Sequence, residues 1–177
     1  MRYFSGFGFC GESVLFSWIL KDCGVYDMAG FSYGALKALE CAYGEVLAGR
    51  RVQKLILISP CMLAFKPIAF KRLQILSYKK DPKAYMQAFL KNIGWDVLLQ
   101  QDPSLKRCVH LGSLEALEDL LFSPLAPKKL AFLRSKGVVI EVFLGLKDPL
   151  LEPQTALEFF KPYACVWQFK HMGHLLA

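Results

Sequence analysis

Apolar residues along this chain follow two rhythms, and the changes between them mark out its elements. Met1 to Phe4 is a short apolar run that enters the glycine-rich SGFGF, the pattern of a strand ending in a tight loop. Val14, Leu15, Trp18 and Ile19 then recur at helical spacing between Glu12 and Lys21, and Gly24 supplies a stop. Val25 to Phe31 is again strand-like, and Tyr33 to Leu47 places Leu36, Leu39, Ala42, Tyr43 and Val46 at spacings that predict a helix. Lys54 to Ser59, KLILIS, is a continuous apolar run closed by Pro60, as expected of a strand buried on both faces. Val138 to Leu144 (VVIEVFL) and Cys165 to Phe169 (CVWQF) repeat that character, with a short helix expected at Leu157 to Phe160 between them.

Strands alternating with helices predict an α/β fold, with about five parallel strands and helices on both faces. Residues 61–124 break the rhythm and show three helical patterns instead of a strand. The first holds Phe70, Leu73 and Leu76. The second opens at Asp81-Pro82 and holds Tyr85, Met86, Phe89, Leu90 and Ile93, and the third follows Ser113 with Leu114, Leu117 and Leu121. This segment reads as a helical lid, 61–124, inserted into a core formed by 1–60 and 125–177.

Bulk properties narrow the picture. A chain of 177 residues fits one domain and can bury roughly 70% of its unfolded surface. Hydrophobic residues make up 54% and mean hydropathy is +0.31, yet charges interrupt each apolar run before the ~18 residues of a membrane span, so no stable membrane association is expected. The amino terminus lacks an export pattern, and a cytoplasmic protein is expected. Cys10, Cys23, Cys41, Cys61, Cys108 and Cys165 show neither C-x-x-C pairs nor histidines at ligand spacing, which argues for idle or buried thiols and against a metal. A net charge of +7 calls for an anionic partner.

Gly30-Phe31-Ser32-Tyr33-Gly34 lies at a predicted strand-to-helix junction. Gly-x-Ser-x-Gly arises by accident in a chain this long roughly one time in twenty, so its weight rests on partners. A serine hydroxyl needs a base to take its proton and a carboxylate to hold that base. Asp148 follows the strand VVIEVFL and His174 follows CVWQF, which is the chain order of a hydrolase triad. The backbone N–H of Tyr33, with a second from Phe7 in the first glycine loop, would receive oxyanion charge. Each residue also has an ordinary reading: Ser32 as a helix N-cap, Asp148 before Pro149 as a turn former, His174 as a surface residue. His171 is the rival base.

GFSYG, the Gly-x-x-Asp of Gly145 to Asp148 and the closing Gly173-His174 together resemble α/β-hydrolases. More narrowly, SGFG, Ser59-Pro60-Cys61 and VWQF before the histidine resemble pimeloyl-acyl carrier protein methyl ester esterases of biotin synthesis, in their short BioV-type form. That resemblance implies a minimal α/β-hydrolase fold and a nucleophile Ser32, base His174 and acid Asp148, with Phe7 and Tyr33 at the oxyanion and acyl site. It implies no metal or organic cofactor. Ser5 stands where the family commonly has histidine. The first strand corresponds to the third of the full fold, and the space between Phe4 and Val25 accommodates one helix only. With three residues after His174, a loosely held catalytic terminus is expected.

The predicted lid carries Lys66, Lys71, Arg72, Lys79, Lys80, Lys83 and Lys91 against Asp81 alone between positions 66 and 91. These residues read either as a solvated helix face or as a docking surface for an acidic protein, and the resemblance names acyl carrier protein as that partner. No basic recognition helix or aromatic RNA-binding signature accompanies them, so no nucleic acid is expected. Two other functions keep the same residues: a general carboxylesterase or thioesterase, and a catalytically silent module that binds an acyl chain or carrier protein.

Overall fold

The computed structural model describes all residues, Met1–Ala177. Its elements in chain order are β1 (Arg2–Phe4), α1 (Ser17–Leu20), β2 (Asp27–Phe31), α2 (Tyr33–Leu47), β3 (Lys54–Ile58), α3 (Ile68–Lys80), α4 (Pro82–Asn92), α5 (Trp95–Gln101), α6 (Leu114–Phe122), α7 (Pro127–Ser135), β4 (Val139–Gly145), α8 (Pro153–Phe160) and β5 (Cys165–Phe169). The five strands form one parallel sheet in the order β1-β2-β3-β4-β5.

Alternation along the strands sends Met28, Leu55, Leu57, Ile140, Val142 and Leu144 to one face, where they pack with α2, α7 and α8. Ala29, Phe31, Ile56, Ile58 and Phe143 face the other way, into a cluster with Phe9, Phe16, Trp95 and the terminal Leu175 and Leu176. This is the period of two that a covered sheet requires. Trp18 of α1 lies edge-on against Phe143 and Phe169 on that second face, so the β1–β2 connection crosses the side opposite α2. Because the strands advance in one direction, this crossover has the opposite hand to the others. It occurs where the sequence leaves space for only one helix.

Several boundaries differ from the sequence reading. Glu12–Phe16 is a 3₁₀ turn that leads into α1, with Val14 exposed. Val25 is 81% exposed and lies before β2, which starts at Asp27. Strand β5 is a sheet edge with Trp167 half-exposed, and is not buried on both faces. Two helices lie beyond those expected: α5, begun by Gly94 at φ 82°, and α7, begun by Pro127 at its first turn with Leu130 and Leu133 facing the core. Residues 61–124 add helices α3–α6 and no strand to the sheet. No helix is long and apolar enough to cross a membrane.

Candidate active site

Strand β2 ends at Phe31 and α2 begins at Tyr33, so the whole change of direction falls on Ser32. Its backbone sits at φ 56°, ψ −114°, a region L-residues rarely occupy and one that stores about 1–3 kcal/mol. The turn closes only because a Cβ on Gly30 would collide with the Gly34 carbonyl, and one on Gly34 with the Phe4 carbonyl; neither residue has one. The Ser32 N–H donates to Ile58 O at 2.8 Å and ties the elbow to β3.

Although Ser32 occupies the N-cap position of α2, its side chain makes no capping hydrogen bond. Its Oγ lies 2.9 Å from His174 Nε2, and His174 Nδ1 lies 2.6 Å from Asp148 Oδ2. All three are buried, at 2%, 1% and 5% exposure. Asp148 also forms the turn its sequence context suggested, accepting the Leu150 N–H on Oδ1 at 2.8 Å. One carboxylate thus fixes its own loop with one oxygen and orients the imidazole with the other. His171, the rival base, is exposed.

His174 is held more firmly than the sequence reading expected. Leu175 and Leu176 are each 4% exposed within the core, and the Phe31 ring lies 5.1 Å from the imidazole. Burial works against the imidazolium, but the Asp148 carboxylate outweighs it, and the His174 pKa is raised above the usual histidine value. The carboxylate thus favours a proton on the imidazole, whose other nitrogen meets Ser32 Oγ.

Phe7 is buried, with its ring edge-on to Tyr78 and Phe89. Among the hydrogen bonds of turns, loops and caps, none is donated by the N–H of Phe7 or Tyr33. The Tyr33 side chain faces the helical segment, where Oη donates to Asp119 of α6. Cys61 is a buried thiol, and its Sγ lies 3.1 Å from Ser32 Oγ. No spacing rule connects residues 61 and 32.

A cavity of about 880 Å³ opens between α3, α4 and the loop after Asp148, walled by Leu63, Phe70, Tyr85, Phe89 and Leu150 with Lys66 and Lys80 among the lining residues. Phe89, in its wall, also packs edge-on against Phe7. Of the basic residues, Arg72, Lys79, Lys80, Lys83 and Lys91 are exposed, and Lys66 is half-buried. Lys71 has to be removed from the docking set: it is buried, donates to the Ala64 carbonyl and lies over the Phe122 ring.

No family model and no curated protein matches the chain. Solved structures do. BpoC from Mycobacterium tuberculosis, assigned as a non-heme bromoperoxidase, matches at 16% identity and TM-score 0.63 over 99% of this chain and 84% of its own. The enol-lactonase of Burkholderia xenovorans matches at 12% identity and TM-score 0.64, over 96% and 68%. BioG from Haemophilus influenzae matches at 13% identity and TM-score 0.58, over 98% and 87%. With the five-stranded parallel sheet, these likenesses establish a minimal α/β-hydrolase fold.

Proposed function

We propose that this chain is a serine esterase that hydrolyses the methyl ester of pimeloyl-acyl carrier protein. The observation that carries the hydrolytic reading is the buried relay Ser32–His174–Asp148, at 2.9 and 2.6 Å, on a strained elbow. His174 Nε2 takes the Ser32 proton as Oγ attacks the ester carbonyl, and the N–H groups of Tyr33 and Phe7 receive the oxyanion. The imidazolium then protonates the leaving methoxide, giving methanol and an acyl-enzyme. Water attacks that ester by the same route and regenerates Ser32.

The choice of substrate is supported by the motif resemblance and by the surface. Helix α3 presents Arg72, Lys79 and Lys80 beside exposed Ile68, Leu73 and Leu76, a face suited to an acidic, partly apolar partner. The cavity beside α3 and α4 offers apolar surface at Leu63, Phe70, Tyr85, Phe89 and Leu150 for an acyl chain, although Ser32, Asp148 and His174 do not line it. Methanol release from the carrier-bound methyl ester tests the reading, with Ser32→Ala as the inactive control. Equal rates on carrier-bound and free methyl esters would favour a general carboxylesterase instead.

A further inference from the structure

Glu12 is a buried carboxylate that the relay does not use. It is 0% exposed; Oε1 accepts the Gly6 N–H at 2.9 Å and Tyr3 Oη at 3.1 Å, and Oε2 has no partner. Taking a carboxyl group out of water is costly, and here the hydrogen bonds to Oε1 alone offset that cost. The loop it holds is Ser5-Gly6-Phe7-Gly8. Glycine precedes and follows Phe7, with Gly8 at φ 73°, and the Phe9 N–H closes a turn over them onto Gly6 O at 3.1 Å. The far end is anchored by the His110 N–H to Gly8 O at 2.9 Å and the Cys10 N–H to Cys108 O at 2.8 Å. At the near end, the side-chain anchor is Glu12.

We propose that Glu12 is a positioning residue: by holding the Gly6 N–H it seats the turn that the Phe9 N–H closes on Gly6 O, and the two together aim the Phe7 N–H at the developing oxyanion. This rests on the esterase reading above. Loss of the anchor should weaken transition-state stabilisation and leave ground-state binding intact, because Glu12 touches no substrate.

The test uses hydrolysis of p-nitrophenyl acetate and inhibition by an aryl trifluoromethyl ketone, which forms a tetrahedral adduct with a nucleophilic serine. Glu12→Ala should lower kcat about 30-fold, less than outright loss of an oxyanion donor, with KM within about threefold. Ketone affinity should fall by the same factor as kcat. Glu12→Gln, which keeps an acceptor for Gly6, should restore kcat to within about threefold, and Tyr3→Phe should leave it within about twofold. If the alanine variant does not fold, Glu12→Asp replaces it: its shorter reach should lower kcat about tenfold. Unchanged kcat in folded Glu12→Ala or Glu12→Asp, or an equal loss in Tyr3→Phe, overturns the role of Glu12 while the esterase reading stands. Wild-type protein inert to both ester and ketone overturns the two together.

Discussion

Tyr33 Oη donates a 2.7 Å hydrogen bond to Asp119 Oδ2 across 86 residues of sequence, joining the residue after Ser32 to helix α6. Lys37, one turn further along α2, reaches the same oxygen at 3.0 Å and lies over the Tyr33 ring, while Ser123 donates to Oδ1. Burial works against the Asp119 carboxylate, but the Ser123, Tyr33 and Lys37 hydrogen bonds prevail and lower its pKa. The elbow and α6 are thereby linked through the side chain of the residue that follows Ser32. Tyr33→Phe keeps the ring and the N–H and loses this link. Expected are a loss of about 1 kcal/mol in stability and faster amide exchange across residues 114–122. Unaltered exchange there would show that the link does not restrain α6.

Glycines on either side of Ser32 and in the body of α2 should respond in opposite directions. Gly34→Ala drives a Cβ into the Phe4 backbone and should cost about 3 kcal/mol or more in urea unfolding. Gly44, also in α2, has open space around its Cβ position, and Gly44→Ala should stabilise by about 0.5–1 kcal/mol. Similar destabilisation by both would contradict the steric account of the elbow.

The raised His174 pKa has a definite sign for catalysis and for stability. To act as the proposed base His174 must be neutral, so the acid limb of kcat/KM should lie above pH 6.5, the ordinary value. Asp148→Asn removes the group that overcomes burial; the limb should move below 6.5, and kcat should fall on the order of 10³–10⁴-fold. In the folded state His174 binds its proton more tightly than in the unfolded state. Its contribution to stability is therefore complete below pH 6.5 and declines as pH rises toward the raised folded value. A pH–rate profile and urea midpoints at several pH values check both.

Docking by charge should be visible in salt dependence. Replacing Arg72, Lys79 and Lys83 together by glutamate should lower kcat/KM for a carrier-bound methyl ester about tenfold at low salt and leave a free methyl ester unaffected. Equal loss on both esters would place these residues in folding or chemistry, not in recognition. Lys71→Met makes a useful contrast, because its ammonium bonds the Ala64 carbonyl inside the fold: it should lower stability without altering salt dependence.

The elements that the chain announces are those whose signals are local. KLILIS reads as a buried strand and proves to be the central β3; GFSYG reads as a turn because small residues are needed two positions either side of Ser32. Asp148 and His174 could be nominated from strand order alone, and the fold brings them into one relay. Legibility ends where contacts are long-range or where apolar residues serve an edge. CVWQF resembles an interior strand, yet it lacks a neighbour on one side and leaves Trp167 half-exposed. Nothing near Glu12 signals that its carboxylate folds back on Gly6, and Asp119 and Cys61 reach Tyr33 and Ser32 only through tertiary packing.

That Ser32 is an activated nucleophile is checked with a fluorophosphonate probe followed by peptide mass mapping. One covalent adduct is expected on the peptide containing Ser32, with labelling abolished in Ser32→Ala and strongly slowed in His174→Ala. Folded protein that remains unlabelled at Ser32, or labelling that persists in Ser32→Ala, would contradict it.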